Sequence, residues 1–105
     1  MAMNTAYAAS EPSRTEIDTL QEATIVEFGA LWCGHCAAAQ ALLTSALAQH
    51  PQIRHIKIED GPGRRLGRSF KVKLWPTLIL LRQGMELARV VRPSGAAEIR
   101  DLLRG

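Results

Sequence analysis

Aromatic residues, cysteines and long apolar runs are all scarce in this chain. Aromatic side chains make up 5% of its 105 residues and do not alternate with basic ones, which argues against a nucleic-acid-binding surface. The most apolar run, residues 78–81, is far shorter than the roughly 20 residues that span a bilayer. The formal net charge is only +3, so neither sign of charge dominates. We therefore expect neither nucleic acid nor a membrane among the binding partners.

The first residues lack the features of an export signal. Residues 1–10 carry no positive charge and no apolar core of the kind that a signal peptide needs. We therefore expect a cytoplasmic protein, with a periplasmic location open if a leader has been trimmed from the chain. Hydrophobic residues make up 47% and charged residues 22%, a balance that lets one domain bury a core without structural disulfides.

The chain has only 2 cysteines, and they stand close together in the WCGHC segment at residues 32–36. Cys33 and Cys36 close too short a loop to staple a fold, so the pair serves chemistry or a ligand. They lie between an apolar strand-like run and a run rich in alanine and leucine. A C-x-x-C at a helix start inside a βαβ pattern is typical of a thiol–disulfide redox site. A metal site needs more ligands than this pair and one distant histidine, so we expect no metal.

Hydrophobic periodicity and chain-breaking residues predict alternating helices and strands. Strands are predicted at residues 24–30, 53–58, 77–82 and 86–92. Helices are predicted to begin at Ser13, with Glu16 at capping-box spacing, at Gly34, at Pro62 and near Pro93. This order predicts an α/β fold with a mixed central sheet and helices on both faces. Residues 13–105 form the predicted domain, and residues 1–12 a loose arm or one poor edge strand.

Several of these segments together resemble the thioredoxin family. They are Glu27 in its apolar strand, the WCGHC segment, Pro76 followed by Thr77, and the hairpin glycine Gly84. The resemblance implies a thioredoxin fold and a thiol–disulfide oxidoreductase whose only redox group is its own Cys33–Cys36 disulfide, with no cofactor. It also implies protein substrates with disulfides or thiols. The implied reducing partner is either a thioredoxin-reductase-like protein or one based on glutathione, and the chain is expected to act as a monomer.

The resemblance gives the two cysteines different roles. The positive end of the helix dipole stabilises an anion, so Cys33 is predicted to attack as a thiolate. Cys36 lies one helical turn further on the same face and is predicted to resolve the mixed disulfide. The intervening Gly34 and His35 resemble protein disulfide isomerases rather than thioredoxins, which usually have Gly-Pro. Because His35 favours the Cys33 thiolate, we expect a potential nearer to about −180 mV than to about −270 mV.

Two ionisable residues are predicted to handle protons. In the family, an acid at the position of Glu27 exchanges a proton with the second cysteine through water, and here that cysteine is Cys36. A lysine often faces this acid in the family, and Lys57 is predicted to take that position. The alternative is that Glu27 and Lys57 form a partly buried ion pair with no catalytic role.

Four further residues are predicted to bind substrate. In the family, the proline at the position of Pro76 is cis and its loop offers backbone groups to an extended substrate, as in β-strand addition. Trp32 is expected to cover the active site. Trp75 either enlarges an apolar docking rim or shields Cys33, and Arg92 replaces a small glycine-containing segment near the substrate surface. These departures leave a second hypothesis open, a peptide-binding or assembly module in which redox activity is incidental.

Overall fold

The computed structural model describes residues 6–105, which form four strands and four helices. In chain order they are α1 (Arg14–Asp18), β1 (Thr24–Gly29), α2 (Gly34–Ala48), β2 (Arg54–Glu59), α3 (Arg65–Ser69), β3 (Thr77–Arg82), β4 (Met85–Val91) and α4 (Ala96–Arg104). The order of helices and strands is the predicted one, and the class is α/β as expected.

One mixed sheet in the order β2-β1-β3-β4 forms the centre of the molecule. β1 pairs in parallel with β2 and antiparallel with β3, and β3 pairs antiparallel with β4. All six residues of β1 are buried, since the strand has neighbours on both edges and helices on both faces. The carboxyl end of β1 leads directly to the cysteine segment, so the most enclosed strand of the sheet positions the site.

The apolar core has two layers, one on each face of the sheet. Side chains that alternate along β1 divide between them, as the pleat requires. One layer contains Ile25 together with residues of α2 and α4: Leu43, Ala46, Leu47, Ile99, Leu102 and Leu103. The other layer contains Val26 and Phe28 together with residues of α1 and α3: Ile17 and Leu66, joined by Phe70. The prediction of helices on both faces of the sheet is therefore confirmed.

The predicted helix starts are right at the first two helices, Gly34 included, and wrong at the other two. The capping box is confirmed, because the Ser13 side chain accepts from the Glu16 N–H and the Glu16 carboxylate accepts from the Ser13 N–H. Pro62 does not open a helix, since Gly63 follows it with φ of 80° and keeps residues 61–63 in a turn, so α3 begins at Arg65. The last helix begins at Ala96 rather than at residues 93–94.

The segment before the last helix is held by hydrogen bonds to Pro76 and Glu98. The Arg92 N–H donates to the Pro76 carbonyl at 2.9 Å, and the Arg92 backbone has a φ of 50°. Further on, the Ser94 hydroxyl and N–H both donate to Glu98, a residue of the first turn of α4. The helix therefore starts only after these contacts have been made.

Residues 6–12 are bound to the domain by hydrogen bonds, while residues 1–5 of the predicted arm lie outside the described residues. The Ala8 N–H donates to the Lys57 carbonyl on β2 at 2.8 Å. The Glu11 carboxylate accepts from the Leu66 N–H in the first turn of α3 at 2.7 Å. These two bonds fix the arm across β2 and α3, on the side of the molecule that carries the cysteines.

Candidate active site

Cys33 and Cys36 lie at the start of α2 and are joined by a disulfide. Cys33 is the N-cap residue, and its sulfur accepts a hydrogen bond from the Cys36 N–H at 3.0 Å. Cys33 is half-buried, whereas Cys36 is only 4% exposed. The accessible sulfur is therefore the one that the helix N-terminus and a backbone donor stabilise as an anion. This geometry suits attack by Cys33 and resolution by Cys36, and the two roles stay predictions.

A groove of about 510 Å³ opens beside the Cys33 sulfur. Its lining includes Trp32, Gly34, His35, Asp60, Trp75 and Arg92. The Trp32 side chain is 95% exposed, so it does not cover the disulfide as the sequence analysis expected. The reason is that the turn before α2 directs the ring into solvent, where it offers apolar contact area to a partner. Leu31 beside it is 68% exposed, which extends that apolar surface.

The loop opposite Cys33 is fixed by side-chain contacts. The Trp75–Pro76 peptide bond is cis. The Trp75 indole N–H donates to the Asp60 carboxylate at 2.9 Å, and the Arg92 guanidinium donates to the Trp75 carbonyl at 2.9 Å. Trp75 is thus held half-buried in the groove wall. The Arg92 side chain binds a backbone carbonyl of the same loop, so that carbonyl already has a donor. Both residues shape the groove that a substrate would enter.

Glu27 lies beneath the disulfide, fully buried in β1. One carboxylate oxygen is 2.8 Å from His55 Nε2, and these two side chains are 0% and 1% exposed. The other oxygen accepts from Gln40 Nε2 at 2.8 Å. Gln40 Nε2 also donates to the Cys36 carbonyl at 2.9 Å, so the amide links the buried acid to the backbone of the resolving cysteine.

Lys57 is not the direct partner of Glu27. Among the described residues it is His55 that pairs with the acid, while Lys57 Nζ donates to Gln40 Oε1 at 3.2 Å. The long lysine side chain extends past Glu27 to Gln40 and to the ring of Tyr7, 4.8 Å from the ring centroid. The alternative interpretation, a direct Glu27–Lys57 ion pair, is therefore wrong, and the two residues are connected through the Gln40 amide. The Gln40 amide nitrogen faces two acceptors and its oxygen faces the Lys57 donor, so the amide has only one orientation that satisfies all three partners.

Comparisons with known proteins agree with this site. Residues 5–105 match the sequence model of the family described as Thioredoxin. The chain belongs to the thioredoxin family. Its Cys33–Cys36 pair is the C-x-x-C redox pair of a thioredoxin-type dithiol–disulfide oxidoreductase, an enzyme class that uses its own disulfide and needs no cofactor.

Three relatives show how far the likeness extends. The solved structure of reduced thioredoxin 2 from Pseudomonas aeruginosa PAO1 is 55% identical, with a TM-score of 0.86, over 97% of this chain and 94% of that one. A thioredoxin of Chlamydia pneumoniae is 36% identical over 64% of this chain and 66% of its own length. A bifunctional thioredoxin reductase/thioredoxin of Mycobacterium leprae is 35% identical over 74% of this chain, which corresponds to 18% of that protein.

Three residues of this thioredoxin-family site were missed by the sequence analysis. His55 lies two residues before Lys57 on the same strand face, and Gln40 lies four residues after Cys36 on the same helix face. Those spacings alone place both near the acid. Asp60, the partner of Trp75, follows the end of β2 and carried no such signal.

The described residues offer no metal centre beside the disulfide. Across residues 6–105, no group of three histidine, cysteine or acidic side chains is arranged to hold a metal ion. Within the same range, none of the helices combines the length and the apolar character needed to cross a membrane.

Proposed function

We propose that this chain reduces and reshuffles disulfides in other proteins by dithiol–disulfide exchange. The observation that carries the proposal is the half-buried Cys33 sulfur at the N-cap of α2, with the Cys36 N–H pointing at it. The reduced Cys33 thiolate attacks one sulfur of a substrate disulfide, and the other substrate sulfur leaves as a thiolate that takes a proton. Cys36 then loses its proton and attacks Cys33. The Cys33–Cys36 disulfide forms, the mixed disulfide breaks, and the substrate ends with two thiols.

The dipeptide between the cysteines supports an isomerase-like potential. His35 is exposed one residue after the helix start at Gly34 and lies between the two cysteines in the chain, and a histidine N–H there would favour the Cys33 thiolate. A stabilised reduced form makes the Cys33–Cys36 couple more oxidising. Such a site can form disulfides in a substrate as well as reduce them, so it can exchange a wrong pairing for another one. A glutathione redox titration tests this part of the proposal. A midpoint near about −180 mV supports it, and one near about −270 mV contradicts it.

Protein-disulfide reduction is tested by insulin turnover. The wild-type protein is expected to precipitate reduced insulin chains in the presence of a dithiol reductant. Cys33→Ser removes the attacking sulfur and is expected to abolish turnover. Equal turnover by wild type and Cys33→Ser would contradict the proposal, since the reductant alone would then account for it.

A thioredoxin-reductase-type protein is the reducing partner that we propose. The support is the Mycobacterium leprae relative, whose name joins a thioredoxin reductase and a thioredoxin in one chain. Reduction of the oxidised protein by such a reductase with NADPH, compared with reduction by glutathione, distinguishes the two sources of electrons. We also propose a reducing compartment such as the cytoplasm, because both cysteines belong to the site and none is used to staple the fold.

A peptide-binding role is the second candidate, and the exposed Trp32 and Leu31 favour it. Apolar residues that contact little else in the chain mark docking surfaces. A double variant with serine at both cysteines separates the two functions. Partners that remain bound to it in a pull-down would support docking without chemistry, and loss of all partners would contradict it.

A further inference from the structure

The resolving cysteine lies against a second cavity, on the side of the disulfide away from the substrate groove. This cavity of about 460 Å³ is lined by both cysteines, Gln40, Lys57 and Tyr7 of the N-terminal arm. It is open enough and polar enough to admit water. The arm is therefore part of the surroundings of the active site.

The Tyr7 hydroxyl and the Cys36 sulfur both border Gly29. A Cβ atom added at Gly29 would stand 2.9 Å from Cys36 Sγ and 2.9 Å from Tyr7 Oη. The sulfur and the phenol oxygen thus face the same small gap, which any larger residue at the end of β1 would fill. The Lys57 ammonium, 4.8 Å from the ring centroid, and the bond from Ala8 to the Lys57 carbonyl hold the phenol at this place.

We propose that Tyr7 donates a hydrogen bond to the Cys36 thiolate when Cys36 resolves the mixed disulfide. The inference rests on the exchange reaction proposed above. In that step Cys36 must carry negative charge while it is almost completely buried, and a hydroxyl beside the sulfur stabilises that charge. Tyr7 keeps its proton under ordinary conditions, because burial first, and the charges of Glu27 and Glu59 next, raise its pKa above 10.0.

The expected effect follows from the strength of a hydrogen bond to a charged sulfur. Loss of such a bond lowers the thiolate population by roughly tenfold. Nucleophilicity rises as a thiol becomes more basic, with a Brønsted coefficient of about 0.4–0.5, and this offsets about half of the loss. The release step is therefore expected to slow by about threefold, whereas attack by Cys33 is unchanged.

Tyr7→Phe tests the proposal, since it removes the hydroxyl and keeps the ring over Lys57. Stopped-flow reaction of the reduced protein with a high concentration of Ellman's reagent releases a first thiolate when Cys33 attacks and a second when Cys36 resolves. Tyr7→Phe is expected to slow the second phase alone by about threefold. Ser10→Ala removes a hydroxyl from the same arm away from the cavity and serves as the matched control.

The outcomes separate this inference from the proposed function. Unchanged phases in Tyr7→Phe, or equal slowing of both, would overturn the role of Tyr7. A second phase slowed to the same extent in Ser10→Ala would overturn it too, because the arm as a whole would then be responsible. Wild-type protein that reacts with Ellman's reagent but fails to turn over insulin would refute the proposed function. The comparison of Tyr7→Phe with wild type would still test the role of Tyr7.

Discussion

Removal of His55 is expected to destabilise the fold strongly. His55→Ala deletes the Nε2 that lies 2.8 Å from a Glu27 oxygen, in a pair whose side chains are 1% and 0% exposed. The carboxylate would remain buried in β1 with Gln40 as its remaining side-chain donor. Loss of a hydrogen bond to a charged group costs about 1.5–3 kcal/mol, and the vacated ring adds a cavity. Together these two effects are expected to cost about 3–5 kcal/mol.

Urea unfolding of the oxidised protein measures this loss. The midpoint is expected to fall while the slope m stays constant, because the folded and unfolded states remain equally compact. For a domain of this size the loss corresponds to a fall of roughly 12–20 °C in melting temperature. His55→Gln, which keeps a side-chain donor, is expected to recover part of the stability.

His50→Ala is the matched control, because His50 lies at the end of α2 outside this network. Its effect on the free energy of unfolding is expected to stay within about 0.5 kcal/mol. The reasoning is refuted if His55→Ala costs less than about 1 kcal/mol, or no more than the control. Either result would mean that Glu27 finds another partner or water once His55 is removed.

Three further changes have defined outcomes. Gly84→Ala is expected to cost about 2–3 kcal/mol in urea unfolding, because φ is 79° and the new Cβ would stand 2.2 Å from a carbonyl at the end of α1. Gly95→Ala, with open space around it, is expected to cost less than about 1 kcal/mol, and similar losses would contradict the argument. The hydrogen bonds from Arg89 lower the pKa of Glu86 below its ordinary 4.5. The stabilisation from this pair is therefore present above pH 4.5 and is lost as the pH falls through the pKa of Glu86 in the folded protein. Glu86→Gln should therefore flatten the acid side of a melting-temperature–pH curve, and an unchanged slope would contradict this. His35→Pro is expected to make the redox potential more negative by several tens of millivolts in a glutathione titration. An unchanged midpoint would show that His35 does not set this potential.

Local sequence patterns were sufficient to predict the helix and strand order and the redox pair. Periodicity and turn residues act over a few neighbours, which is why the Ser13 cap and the Gly84 hairpin could be read directly. The two cysteines are equally local, since three residues of helix place both on one face. The start at Pro62 was wrong because Gly63 after it requires a positive φ that no helix allows.

Contacts between distant segments decided the rest of the site. The sequence indicated that Glu27 is buried and needs a hydrogen-bond partner. It did not show which of three possible donors, His55, Gln40 or Lys57, would be that partner. The pairing of β1 with β2 and the packing of α2 selected His55 and Gln40 rather than Lys57. The expectation that Trp32 covers the disulfide was wrong for a similar reason, since only the path of the turn before α2 sets whether its ring covers the disulfide or faces solvent.

The sequence by itself determined that this chain carries a thiol–disulfide site on an α/β domain, because that information lies in short-range spacing. The tertiary structure alone decided what surrounds the two sulfurs. The buried Glu27 carboxylate takes the donors that the folded chain brings within about 3 Å, and those come from a strand and a helix that are far from it in sequence. Tyr7 is a further case, since nothing in its sequence neighbours connects it to Cys36, and only the folded chain places both beside Gly29.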